Sequence, residues 1–139
     1  MLFKKIERIS IAVRNLDESI KFFTGLGIPF DDPFVVEESG AREAISPLGL
    51  ELVEANVPDS MVDNFIKKRG EGVFSVMLKV SDMKEAKKVF EEKGIRYTGE
   101  ITMGGLTEVS YHPKDTYGCQ FFLTEYKEKH PATVAALEK

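Results

Sequence analysis

"RISIAVRNLDESIKFFTGLGI" (residues 8–28) lies without a gap over "SVMLKVSDMKEAKKVFEEKGI" (75–95) when the 139-residue chain is slid against itself by 67 positions. Literal identity is low, but the structural signals coincide. Ile9, Ile11 and Val13 alternate with Arg8, Ser10 and Ala12, and Val76, Leu78 and Val80 alternate with Ser75, Met77 and Lys79. A period of two is that of a strand with one apolar face for a core. Asn15 and Asp82 stand where a helix N-cap belongs, with Glu18 and Glu85 three residues on, which is the spacing of a capping box. Each helix then carries an aromatic near its end (Phe23, Phe90) and stops near Gly27 or Gly94, suited to a left-handed C-cap.

Shorter strand candidates follow each helix: "PFVVEE", "AREAIS" and "LELVEA" in the first half, "RYTGEI", "TEVSYH" and "CQFFLTE" in the second. The pattern is β-α-β-β-β, twice. It predicts a first module over 1–58, a connecting helix over 59–70, a second module over 71–125 and a tail over 126–139. The connecting helix takes its cap from Asp59 or Ser60 and ends at Gly70, while the tail has a final helical turn or two from Pro131. Phe74, Val76, Leu78 and Val80, then Leu50 and Leu52, then Phe121 and Leu123, form core-facing sets. Glu51, Ser75, Met77, Lys79, Gln120, Phe122 and Thr124 oppose them. The expected fold is α+β: two tandem βαβββ modules forming a cup-shaped mixed β-sheet, helices outside and mixed strand faces lining a small-molecule site.

Composition narrows the function classes. Hydrophobic residues make up 42% and charged residues 30%, with net charge −4 and both signs scattered, so no nucleic-acid footprint is present. No apolar run approaches membrane-spanning length, and "MLFKKIER" lacks the apolar segment of a signal peptide, so the cytoplasm is the expected location. The single cysteine, Cys119, excludes an internal disulfide and a multi-thiolate metal site; it reads as a buried structural thiol on a strand.

"FKKIERISIAVRNLDESIKFF" (3–23), "LELVEANVPDSMVDNFIKKRGEGVFSVMLKV" (50–80) and "SYHPKDTYGCQFFLTEY" (110–126) resemble the vicinal oxygen chelate superfamily of glyoxalases, bleomycin-resistance proteins and extradiol dioxygenases. Within it they are most similar to methylmalonyl-CoA epimerases. The resemblance implies a homodimer and a divalent metal held by four side chains, one from each of four strands. Those positions fall on Arg8, Glu51, Ser75 and Phe122. Only Glu51 keeps a ligand: guanidinium has no lone pair, a serine hydroxyl is a poor donor, and phenylalanine cannot coordinate. No metal and no other cofactor is therefore expected.

The remaining groups leave alternatives open. Arg8 and Glu51 are expected as neighbours, with Arg8 either presenting a cation to an anionic ligand or merely filling the old metal position as a buried ion pair. Glu43 lies near where epimerase relatives carry a second carboxylate, although a solvated strand glutamate is the simpler reading. Glu43 and Glu51 as acid and base, with Arg8 as electrophile, would make an active epimerase, isomerase or lyase. His112 and Lys114, in "YHPKD", border the acyl-CoA entrance by resemblance, or else form a turn set by Pro113. His130 lies outside the strand positions, and Met61, Met77 and Met103 read as packing. The expected function is a metal-free, epimerase-like protein whose cup, including Arg8, Ser75, Phe122, His112 and Lys114, binds a small organic acid or acyl-CoA-like compound.

Overall fold

The computed structural model describes residues 1–102, the backbone of 103, and residues 105–127. The helical turn expected from Pro131 and the side chains of Met103 and His130 lie outside that range. The described residues form β1 (Phe3–Ala12), α1 (Leu16–Gly25), β2 (Phe34–Val36), β3 (Ala41–Ile45), β4 (Leu50–Ala55), α2 (Met61–Arg69), β5 (Gly72–Val80), α3 (Met83–Glu92), β6 (Tyr97–Met103), β7 (Leu106–Tyr111) and β8 (Gln120–Glu125). The strands follow the hydrogen-bonded order β2-β3-β4-β1-β5-β8-β7-β6, with β5 and β8 parallel and the β2–β3–β4 and β6–β7–β8 ladders antiparallel. The class is α+β, with the β-α-β-β-β order repeated as expected.

The 67-residue repeat extends to individual hydrogen bonds. Asn15 Oδ1 accepts from the Glu18 amide at 3.0 Å, and Asp82 Oδ1 accepts from the Glu85 amide at 3.1 Å. At the other end, Ile28 donates to the Phe23 carbonyl and Gly27 to that of Thr24; Ile95 and Gly94 do the same to Phe90 and Glu91. These are paired Schellman closures, and they need a left-handed residue. Gly27 at φ 95° and Gly94 at φ 74° supply it. α2 is capped by Ser60, whose Oγ accepts from the Asp63 amide at 3.2 Å, and it ends at Gly70.

The described residues divide into two compact units, one of Met1–Ile9 with residues 75–127, the other of Ser10–Phe74. In the first, Leu123, Val109 and Val80 are buried with Met83, Ala86 and Phe90 of α3 and with Tyr111. Phe90 and Tyr111 pack their rings at 4.4 Å between centroids. The second unit has two cores. Val13, Ala44 and Leu52 bury Leu16 of α1, while Ala12, Ala41, Val53 and Phe74 bury Val62 of α2. Each fully buried large apolar side chain contributes roughly 1.5–3 kcal/mol.

Three local expectations are corrected. Ile9 belongs to no core and stays 38% exposed, because it is the last β1 residue before the chain enters the second unit. Only Ile11 and Val13 of the expected trio reach a core. Phe74 leaves the Leu78–Val80 set and packs edge-on against Phe65 of α2, centroids 5.2 Å apart. Cys119 is half-buried at the bend before β8 rather than buried within a strand.

Candidate ligand site

In the first unit, strand register sorts the side chains into two faces. Ser75, Met77 and Lys79 of β5 pair with Gln120, Phe122 and Thr124 of β8; Glu108 and Ser110 of β7 pair with Thr124 and Phe122. Directly paired residues share a face, so these eight project together while Leu78, Val80, Val109 and Leu123 turn toward α3. Arg8 reaches onto the polar face. Its Nη2 donates to Met77 Sδ at 3.3 Å and lies 3.7 Å from Glu108 Oε2. The Arg8 side chain is only 4% exposed. Ser75 is buried beside Gln120, and Phe122, half-buried, sits between Met77 and Ser110. Thr124, in register with both Lys79 and Glu108, is fully buried, and its Oγ1 has no hydrogen-bond partner among the described residues.

Glu7, the other buried charge of β1, accepts from the Tyr126 hydroxyl at 2.8 Å and lies 3.4 Å from Lys5 Nζ. Burial, then the hydrogen bond to Glu7 and that carboxylate's charge, push the Tyr126 phenol well above the ordinary tyrosine range. Lys79 Nζ stands 4.2 Å from the centre of the Tyr126 ring.

Glu51 and Glu43 belong to the second unit. Ser10 Oγ donates to Glu51 Oε1 at 2.7 Å, with both residues buried. Glu51 is in register with Ile45 and Glu43 with Val53, so the two carboxylates share one face, two residues apart along the ladder. The opposite face carries Arg42, whose guanidinium bonds Asp17 at 2.9 Å and holds that carboxyl below the usual aspartate range. His112 and Lys114 lie in the turn after β7, where His112 Nδ1 accepts from the Lys114 amide at 3.1 Å and caps a short 3-10 turn. From Glu108 to His112 the strand runs about 13 Å.

The geometry sits in a recognisable family. The model of the glyoxalase/bleomycin resistance protein/dioxygenase superfamily matches residues 7–111. The chain belongs to that superfamily. Among curated protein sequences none matches it. Among solved structures, a Streptomyces coelicolor methylmalonyl-CoA epimerase variant in complex with 2-nitronate-propionyl-CoA shares 29% identity, with 91% of this chain and 99% of that chain covered and a TM-score of 0.79. A Bacillus halodurans hypothetical protein shares 25% identity, covering 91% and 96%, also at a TM-score of 0.79. The methylmalonyl-CoA epimerase from Mycobacterium tuberculosis matches in fold at 24% identity, 91% coverage of each chain and a TM-score of 0.81.

Within this superfamily fold, Arg8, Ser75 and Phe122 share one unit, Glu43 and Glu51 the other, and His112 and Lys114 a separate turn. Sequence reasoning missed Glu108 and the sulfur contact of Met77. It also missed the Glu7–Tyr126 bond. The signal for Glu108 was present: in "TEVSYH", Glu108 and Ser110 alternate with Val109 and Tyr111, and the same period-two reading places them with Phe122.

Proposed function

We propose that this superfamily member is an epimerase-like protein that has lost the metal site and binds a small anionic or acyl-CoA-like ligand, in the cytoplasm, on the face that carries Arg8. The observation behind it is the Arg8 side chain, 4% exposed and in contact with Glu108 and Met77. The superfamily's metal would need donors at Arg8, Glu51, Ser75 and Phe122. A guanidinium offers no lone pair and repels a dication, and a phenyl ring offers no donor, so these residues do not fit the group. Among the described residues no three His, Cys, Asp or Glu side chains come together as a set that could hold a metal ion.

A cation in place of a metal suits an anion. The planar guanidinium fork matches a carboxylate bidentately, and the buried Thr124 hydroxyl, one strand position from Glu108 and Lys79, supplies a further donor. A buried hydroxyl without a partner is uncommon and calls for one. Solved relatives favour the ligand class: one methylmalonyl-CoA epimerase holds 2-nitronate-propionyl-CoA and another methylmalonyl-CoA with NH4+. The shared face of Glu43 and Glu51 favours a second reading, an epimerase, isomerase or lyase using the two carboxylates as acid and base with Arg8 as electrophile. A homodimer is proposed as the assembly; Ile6 and Ile9 of β1, 58% and 38% exposed, support it, and sedimentation showing only monomer would contradict it.

Metal addition tests the loss. A ligand that binds only the folded state at a hundredfold excess over its dissociation constant stabilises by about 2.7 kcal/mol. Cobalt, zinc, nickel and manganese are each expected to leave the melting temperature unchanged. A metal-dependent rise that disappears in Glu51→Ala would overturn the proposal.

A further inference from the structure

Beside Tyr126, at the strand ends of the first unit, lies a groove of about 660 Å³. That volume is in the range of small-molecule sites. Lys4, Lys5, Lys79 and Lys127 line it, together with one carboxylate, Glu125. The chain as a whole carries net charge −4, so the groove's lysines stand against the sign of the whole chain. Glu7, just beneath, adds little to the balance: its side chain is 3% exposed and is engaged by the Tyr126 hydroxyl and by Lys5. Among the described residues Lys4, Lys79 and Lys127 have no ion pair. A solvated lysine scatter on a strand end does not account for Lys79. The residue is half-buried and its ammonium is held over an aromatic face at 4.2 Å, which fixes a normally mobile chain in one direction. The hydroxyl of Thr107 adds a neutral donor at the wall, and Gly105 leaves it open, with nothing within 4 Å of where a Cβ would stand.

We infer that this groove binds a phosphate-bearing polyanion. Several ammonium groups in a concave wall suit clustered phosphate oxygens, whereas a single carboxylate would leave most of them uncompensated. Lysine acts here as a point charge, so the groove reads phosphate charge rather than ligand shape. Lys79 joins the groove to the register row that holds Thr124 and Glu108. Arg8 itself does not line the groove, and neither Met77 nor Glu108, which its guanidinium touches, lines it either.

Calorimetric titration of the full chain with pyrophosphate, ATP and coenzyme A, at low and at high salt, tests it, with acetate as the singly charged control. All three phosphate compounds are expected to bind at low salt and to weaken steeply as salt rises, and acetate is expected not to bind. Lys79→Gln combined with Lys127→Gln should weaken pyrophosphate by about tenfold or more, the loss of two partly screened charges. Lys84→Gln, exposed on α3 and outside the groove, should leave pyrophosphate binding unchanged, and the Arg8 reading is tested separately on the Arg8 variants, so the two failures stay distinct. Equal affinity for pyrophosphate and coenzyme A would assign the groove to phosphate alone; a preference for coenzyme A would assign it to the phosphates of an acyl carrier. No binding of any phosphate compound at low salt, or binding indifferent to the lysine pair in a variant that keeps the wild-type melting temperature, would overturn the proposal.

Discussion

The two compact units use the same local grammar and treat the second face of their strands differently. In the unit of Ser10–Phe74, the strand face away from α1 is apolar where α2 lies, since Ala41 and Val53 meet Val62 and Phe65 and Phe74 stack edge to face, and the same face carries Glu43 and the buried Ser10–Glu51 pair. In the unit built on Met1–Ile9 and the chain from Ser75, the face away from α3 carries Arg8, Glu108, Ser110 and Thr124 with Met77 and Phe122. The part of one face under α2 is apolar packing, and the other face is a largely polar, buried set. The cause lies in the chain between the modules. "SMVDNFIKKRG" (60–70) supplies an amphipathic helix whose apolar residues Val62, Phe65 and Ile66 pack on the unit of Ser10–Phe74.

Core truncation is the bluntest way to break that contrast. Phe74→Ala should lower unfolding free energy by about 3–5 kcal/mol in a urea titration, as buried aromatic truncations do. Phe122→Ala, half-buried on the polar face, should cost distinctly less. Equal losses would mean that the two faces do the same structural job.

The helix ends sharpen the opposite point, that the repeat is real. Asn15→Ala and Asp82→Ala each remove one acceptor from one helix start. Each should destabilise by about 1 kcal/mol, and by similar amounts. A loss confined to one of them would show that the matching caps do not carry matching weight.

A smaller, pH-dependent effect is largest at Asp115, in the unit of Met1–Ile9 and residues 75–127. Asp115 takes hydrogen bonds from the Arg96 side chain and backbone, which lower its carboxyl from 3.8 to about 2. A depressed folded value stabilises fully above the unfolded value and is lost as pH falls through the folded one, here between roughly pH 4 and pH 2. Asp115→Asn should therefore flatten the acid limb of a melting-temperature profile in that window and leave the limb above pH 5 parallel to wild type. Tyr126 works with the reverse sign. Its raised phenol contributes stability below the ordinary value of 10.0 and loses it as pH climbs beyond, a loss that Tyr126→Phe should remove.

Much of this was legible in the sequence because it is local. Caps, stop glycines and period-two alternation are set by neighbours along the chain, and Asn15, Asp82, Ser60, Gly27 and Gly94 all perform the expected task. The site was legible only as far as alternation reached. Arg8, Ser75 and Phe122 share the expected face, but Glu108 depended on extending the pattern to β7 and on knowing that β7 pairs with β8. Ile9 and Phe74 were misread for a related reason: alternation says which way a side chain points, not which element covers it. No local pattern announces the Tyr126–Glu7 bond, formed across 119 residues.

The central claim, that Arg8 holds a ligand rather than fills a disused metal position, rests on one titration. Methylmalonyl-CoA, which carries both a free carboxylate and an acyl carrier, would be titrated into wild type, Arg8→Lys, and the double variant Arg8→Met with Glu108→Leu. Removing Arg8 alone strands a buried carboxylate at a loss on the order of 3–5 kcal/mol, and the double replacement should recover most of it, so folding and binding are read separately. Wild type is expected to bind, Arg8→Lys to bind about tenfold more weakly, and the stable double variant to keep no more than the affinity that free coenzyme A shows. A double variant that binds methylmalonyl-CoA with full affinity would contradict the claim.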